Sequence, residues 1–183
     1  MRHTGPVRSS SEPGRWGAEP VWWGAVPAPI GDLGVAVDEH GVCAVALSGP
    51  PGPVADQPDG LLAEAMRQLR AYLAGELTSF DLVLSVRRGS PFERAVWAQI
   101  AQIPYAQTRT YGEVAAAVGN GDPLAARAVG VACNRNPLPV VVPCHRVVGA
   151  GGKLVGFGGG LPRKRFLLEL EARVRLVQDF GLG

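Results

Sequence analysis

Two capping boxes constrain the second half of this chain more tightly than any other feature. Ser90-Pro91-Phe92-Glu93 sets a hydroxyl at an N-cap, a proline at the first helical position and a carboxylate three residues on. Phe92, Val96, Ile100 and Ile103 then recur on one face, so the spacing predicts an amphipathic helix. Thr110-Tyr111-Gly112-Glu113 repeats the box and opens a short helix that stops at Gly119. Asp122-Pro123 opens a third, running through LAARAVGVA to about Cys133. Two short helices joined by a Gly-containing turn form the pattern of a helix-turn-helix, a unit that commonly sets its second helix against DNA.

The composition of that second helix is unusual. Ala125, Ala126, Ala128, Gly130 and Ala132 leave little bulk around one long cation, Arg127, so the helix can approach a narrow groove closely. An ordinary buried Ala-rich helix with one surface arginine reads the same way, and the pattern alone does not separate the two. After it, Pro139 to Pro143 encloses three β-branched residues and reads as a short buried strand. Gly149 to Gly160 is a glycine-rich loop, and Pro162 starts a last helix through Phe166, Leu167, Leu170 and Val174.

The first half is organised differently. Residues 1–20 are rich in Ser, Pro, Gly and Arg and read as a disordered tail. Short apolar stretches from Val21 to about Leu47, separated by turn residues, predict a small antiparallel sheet. Leu62, Ala65, Met66, Leu69 and Leu73 fall at helical spacing before Gly75, a suitable C-cap. Phe80 to Val86 alternates like a strand. The expected organisation is therefore a tail, an α/β domain over 21–88, a mostly helical domain over 89–175 and a C-terminal tail over 176–183.

An apolar fraction of 46% excludes general disorder, and no apolar run approaches the roughly 20 residues that span a bilayer. With no signal peptide legible, the expected compartment is cytoplasmic. Three widely spaced cysteines, Cys43, Cys133 and Cys144, do not form the even set of a disulfide-stapled domain, and with His3, His40 and His145 they supply no zinc-ligand pattern. No metal is assigned. Residues 1–88 carry 7 basic and 10 acidic side chains, and residues 89–183 carry 11 basic and 6 acidic. A net of +5 in the second half suits either a polyanionic partner or a solvated basic face.

Cys144-His145 sits directly after the proline-fenced segment. A cysteine attacks as thiolate, which calls for a base or positive charge nearby. Adjacent side chains point in different directions, so a bridging water suits this pair better than direct contact. Glu171 on the last helix is a candidate to orient the histidine. A buried inert cysteine beside a structural histidine has the same spacing, so the pair alone leaves both readings open.

The segment Val142-Pro143-Cys144-His145-Arg146-Val147-Val148-Gly149 resembles the active-site signature of the O6-alkylguanine-DNA alkyltransferases. Ile103-Pro104-Tyr105, Thr110 to Val114, Ala125 to Gly130, Asn136-Pro137 and Gly156 to Gly160 follow in that family's order. The resemblance covers most of residues 90–171, and the first half is similar only in layout.

The resemblance implies an RNase H-like α/β domain with a small sheet, followed by a mostly α winged helix-turn-helix domain. It implies irreversible, cofactor-free transfer of the alkyl group from O6-alkylguanine, and from O4-alkylthymine, in double-stranded DNA to Cys144. His145 would take the thiol proton through a water, with Glu171 behind it. Tyr111 would contact N3 of the flipped base, and Asn136 would tie the recognition helix to the acceptor segment. Arg127 would enter the duplex from the minor groove, with Ala126, Thr110 and Arg135 also at the DNA. Val147, Phe157, Gly158 and Pro139 would form the pocket.

A monomer able to bind cooperatively along DNA is expected, with no membrane contact. Two departures from the family pattern concern site residues: Phe157 stands where an aromatic with a hydroxyl is common, and Arg135 stands where a smaller residue is usual. The rival readings are an alkyltransferase-like protein that binds damage without transfer and a Cys-His hydrolase. The first lacks an acceptor cysteine, and no oxyanion loop is evident for the second.

Overall fold

The computed structural model describes residues 14–16, 19–119 and 124–181. Strands β1 (Gly14–Trp16), β2 (Glu19–Val26), β3 (Leu33–Val37) and β4 (Val42–Ala46) form an antiparallel sheet in sequence order. All five residues of β3 are buried, because the sheet is covered on both faces. Leu33, Val35 and Val37 face α1 (Gly60–Leu73), and Ala36 faces the other way into a small cluster with Val21, Trp23, Cys43 and Ala44. Gly24 lets the helix down onto the sheet, since a Cβ there would collide with Met66 Sδ.

The second half packs α2 (Pro91–Ala101), α3 (Tyr111–Ala117), α4 (Ala125–Asn134) and α5 (Leu161–Phe180). Both capping boxes form as expected, with Ser90 and Thr110 accepting from the Glu93 and Glu113 amides. Val96, Ile100 and Ile103 are buried, and Trp97 joins them by donating its indole N–H to the Ala132 carbonyl at 2.8 Å. That bond locks α2 to α4. Two short parallel strands, β5 (Arg109–Thr110) and β6 (Val147–Val148), clip the start of α3 to the chain just after Cys144. One continuous apolar core joins the halves, running from Val35 and Leu69 to Val129, Cys144 and Leu167. No helix among the described residues is long and apolar enough to cross a membrane.

Four sequence expectations are corrected here. Of the tail expected over 1–20, residues 1–13, 17 and 18 lie outside the described residues, and the described part forms β1 and the start of β2, because an edge strand is held by backbone hydrogen bonds and needs little apolar surface. Phe80 to Val86 is not a strand. It runs extended and meets β4 only through the Val42 N–H to Val83 carbonyl and Ser85 N–H to Val42 carbonyl bonds.

The strand expected between Pro139 and Pro143 is a tight turn closed by the Val142 amide on the Leu138 carbonyl at 2.8 Å. Val140 in it has φ 75°, a conformation β-branched residues avoid and one that costs on the order of 1–3 kcal/mol. The C-terminal tail expected from 176 continues α5 to Phe180, where Gly181 ends it in the left-handed conformation. Asp122-Pro123, the expected start of the third helix, lies outside the described residues, and that helix is regular from Ala125.

Candidate active site

The tight turn delivers Cys144 to the first position of a short 3-10 turn, Cys144–Arg146, with all three side chains buried. Asn136, just past the end of α4, fixes the delivery. Its Nδ2 donates to the Val142 carbonyl at 2.8 Å, and its Oδ1 accepts from the Leu138 amide at 2.9 Å. The amide of one side chain thus replaces the hydrogen bonds that a proline-flanked turn cannot make for itself.

Behind the cysteine lies a buried polar network. His145 Nε2 stands 2.7 Å from Glu171 Oε1, and Tyr72 on α1 donates its hydroxyl to the same oxygen at 2.5 Å. Arg146 binds both Glu171 oxygens through Nε and donates Nη1 to the Ile103 carbonyl at 2.7 Å. The Ala106 amide, in a residue with φ 58°, completes the set at 2.8 Å from Oε2. Burial pushes the Glu171 carboxyl up, yet the hydrogen bonds from His145, Arg146 and Tyr72 prevail and hold it at about 2. Burial pulls the His145 imidazolium down, so the ring is neutral.

An ionised Glu171 can only accept a hydrogen bond from His145, which assigns the ring proton to Nε2 and leaves Nδ1 as a lone-pair base. Nδ1 is buried with no hydrogen-bond partner among the described residues. Burial also pushes the Cys144 thiol up, opposed by the Asn136 hydrogen bond and the Lys164 ammonium. Cys144 therefore rests as a thiol next in the chain to a neutral imidazole.

Lys164 is fully buried on α5, and its ammonium is solvated by the carbonyls of Val147 at 2.6 Å, Val155 at 3.1 Å and Gly156 at 3.2 Å. It reaches the Tyr111 oxygen at 3.5 Å. The Tyr111 hydroxyl donates to the Val155 carbonyl at 3.0 Å, and burial pushes its pKa up to about 12, with lesser contributions from the two nearby cysteines.

Two cavities converge here. Cys144 opens into one of about 250 Å³, lined by Asn136, Pro139, Phe157, Gly158 and, from the sheet side, Val45, Leu47 and Ser48. A wider cleft of about 570 Å³ gathers Thr110, Tyr111, Ala126, Arg127 and Gly156 between α3 and α4. Asn134 lines both.

The structure therefore brings the sequence-predicted residues into three groups: the Cys144 cavity, the cleft, and the buried His145–Glu171 pair. Val147 falls outside them. It is buried, does not line the Cys144 cavity, and gives its carbonyl to Lys164. Arg135 is exposed but paired with Glu93 at 2.9 Å, and the Thr110 hydroxyl is engaged by Glu113. Sequence reasoning missed Tyr72, Lys164 and the engagement of Arg146. The available signal was charge at core spacing on α5, where Lys164, Leu167 and Glu171 share the buried stripe.

The chain is similar to known proteins over most of its length. Residues 91–173 match the family described as 6-O-methylguanine DNA methyltransferase, DNA binding domain. Residues 21–86 match its ribonuclease-like domain. A methylated-DNA–protein-cysteine methyltransferase of Methanosarcina acetivorans is 48% identical over 149 residues, covering 78% of this chain and 93% of that protein. The crystal structure of the Mycobacterium tuberculosis O6-methylguanine methyltransferase superposes with a TM-score of 0.73 at 45% identity, over 84% of this chain and 93% of that one. The M. tuberculosis OGT in complex with DNA superposes with a TM-score of 0.70 at 42% identity, over 83% and 93%.

Proposed function

Because the chain belongs to the 6-O-methylguanine DNA methyltransferase family, we propose that it repairs DNA by moving the alkyl group from O6 of guanine onto Cys144, once per molecule. One observation carries the reading. A buried thiol adjoins a histidine whose Nε2 is fixed by an ionised glutamate and whose Nδ1 has no hydrogen-bond partner among the described residues. That is a base held in one tautomer, ready to accept a proton through a water.

The proton and electron balance is simple. The Cys144 proton passes to His145 Nδ1, and the thiolate sulfur attacks the alkyl carbon in line with its bond to O6. That bond breaks with its electron pair on the base, and the restored guanine regains one proton. Tyr111, at the junction of the cleft and the Lys164-held loop, lends that proton toward N3 and recovers one from solvent, while the proton taken up by His145 returns to solvent. The thioether product offers no leaving group, so the protein is consumed. Holding Cys144 as a thiol until the base arrives protects a buried nucleophile from other electrophiles.

The cleft supports entry of an extruded nucleotide. Arg127 projects from the exposed side of α4, Ala126 and Gly130 keep the helix thin, and the base would pass Asn134 to reach Cys144. In this reading Arg127 fills the space that the base vacates, from the minor groove side. Thr110 holds the first turn of α3 to the backbone, and Arg135 meets a phosphate from the end of α4 while retaining Glu93. Pro139, Phe157 and Gly158 frame the base. The protein acts as a monomer on the duplex.

Stoichiometry tests the proposal. With a duplex containing O6-methylguanine in excess, repaired guanine should plateau at one per protein molecule. Continued turnover, or tight binding to the lesion without repair, would contradict it.

A further inference from the structure

The acceptor cavity has one wall that the mechanism leaves unexplained. Val45, Leu47 and Ser48, from the end of β4 and the chain after it, face Cys144 across it, and Arg163 at the start of α5 lies between this wall and the glycine-rich loop. The Arg163 guanidinium bridges two backbone carbonyls. Its Nε donates to Ile30 at 2.9 Å in the turn between β2 and β3, and its Nη1 donates to Gly159 at 2.9 Å in the loop that frames the cavity. Both carbonyls are fixed acceptors, and a planar guanidinium can satisfy the two at once where an ammonium cannot hold the same geometry.

Lys164 and Tyr111 hold the Val155 and Gly156 carbonyls, and the rest of the loop, Phe157 to Gly160, relies on such a strap. Gly156, Gly158, Gly159 and Gly160 have no side chains with which to anchor it, and glycine backbone has more conformational freedom to lose than any other. Gly159 is pressed against Leu47 and Phe157, where a Cβ would lie 2.5 Å from Leu47 Cδ1 and 3.0 Å from Phe157 Cε1. The loop is thus seated on the sheet side of the molecule, with the Arg163 stem itself 3.3 Å from that same Cβ position. Gly31 is equally close to the other end, its Cβ position 3.3 Å from Arg163 Nη2.

We propose that Arg163 is a specificity-determining positioning residue: by strapping the Phe157–Gly160 loop to the turn at Ile30, it limits the size of the alkyl group that Cys144 can accept. The inference rests on the transfer activity proposed above and adds to it a determinant of substrate size. With the strap in place, the cavity of about 250 Å³ suits a small group on guanine. Releasing the strap frees the loop to move outward and admits bulkier groups, while the His145–Glu171 base is untouched.

The test measures single-turnover transfer from duplexes carrying O6-methylguanine or O6-benzylguanine, for wild type, Arg163→Ala and Arg163→Lys. The benzyl-to-methyl rate ratio should rise at least fivefold in Arg163→Ala and less in Arg163→Lys. Hydrogen exchange in residues 156–160 should quicken in Arg163→Ala, with α2 and α5 unchanged. Arg163→Lys retains the stem and charge, so it carries the test if the alanine variant folds poorly. Equal scaling of both rates, or unaltered exchange in the loop, would overturn the strap and leave a merely structural arginine. Absence of transfer by the wild type would instead overturn the functional reading itself.

Discussion

Replacing Glu171 with glutamine probes the buried network and the chemistry together. Five donor groups converge on this carboxylate: the Tyr72 hydroxyl, His145 Nε2, the Ala106 amide, and Nε and Nη2 of Arg146. Glutamine offers one acceptor oxygen and turns two N–H donors toward groups that also donate. Arg146, almost wholly buried, then loses its counter-charge, and breaking such a pair from one side costs about 3–5 kcal/mol. Against a total stability of about 5–15 kcal/mol this is a large fraction.

The pH dependence gives a second reading of the same substitution. Glu171 is held at about 2 in the folded protein, against an unfolded value of roughly 4.3. Its contribution is complete above about pH 4.3 and is lost as pH falls toward 2. His145 is shifted downward by burial, so it also loses stability below about pH 6.5, and it loses more in the variant, where the Glu171 hydrogen bond and charge that oppose the shift are gone. The gap narrows only where Glu171 itself titrates, below about pH 4.3. Urea unfolding should therefore show Glu171→Gln destabilised by about 3–5 kcal/mol at pH 7, with the gap narrowing at pH 3. Transfer should slow by about two to four orders of magnitude, since His145 loses its enforced tautomer. A variant within 1 kcal/mol of wild type at pH 7, transferring at the normal rate, would refute both the energetic and the mechanistic argument.

Three other outcomes follow from the site. Arg127→Ala should slow repair of duplex DNA by about 10- to 100-fold, losing part of the few kcal/mol that offset unstacking, while free O6-benzylguanine reacts almost normally. Equal loss on both substrates would assign Arg127 to the fold. Tyr111→Phe should impair both substrates, as measured by single-turnover rates, because the phenol serves the leaving base wherever it comes from. Binding to undamaged duplex should weaken steeply between low and moderate salt and show little sequence preference, measured by fluorescence anisotropy.

The helices of the second half were legible because their starts are written in side chains. Ser90 with Glu93 and Thr110 with Glu113 form the expected reciprocal bonds, and local chemistry of that kind survives any tertiary context. The segment at Pro139 to Pro143 was not legible, since its β-branched composition argues for a strand. Asn136 and the proline pair impose a turn that forces Val140 to positive φ. No propensity rule anticipates a strain maintained by a side chain four residues away.

The acceptor pair and Glu171 could be read from order and spacing. Tyr72 could not, because it belongs to α1 in the other half of the chain and meets Glu171 only once the two halves share a core. Lys164 was readable in principle, as a cation on the buried stripe of α5. Its three carbonyl partners are properties of the loop's path and leave no trace in the sequence.

The central claim is that Cys144 itself receives the alkyl group. Intact-mass measurement after exposure to a duplex containing O6-methylguanine, followed by peptide mapping, tests it most directly. The account predicts a gain of one methylene unit, located on Cys144 and absent in Cys144→Ser, which should still bind the duplex. An unchanged mass with restored guanine, or the added group on Cys43 or Cys133, would contradict it.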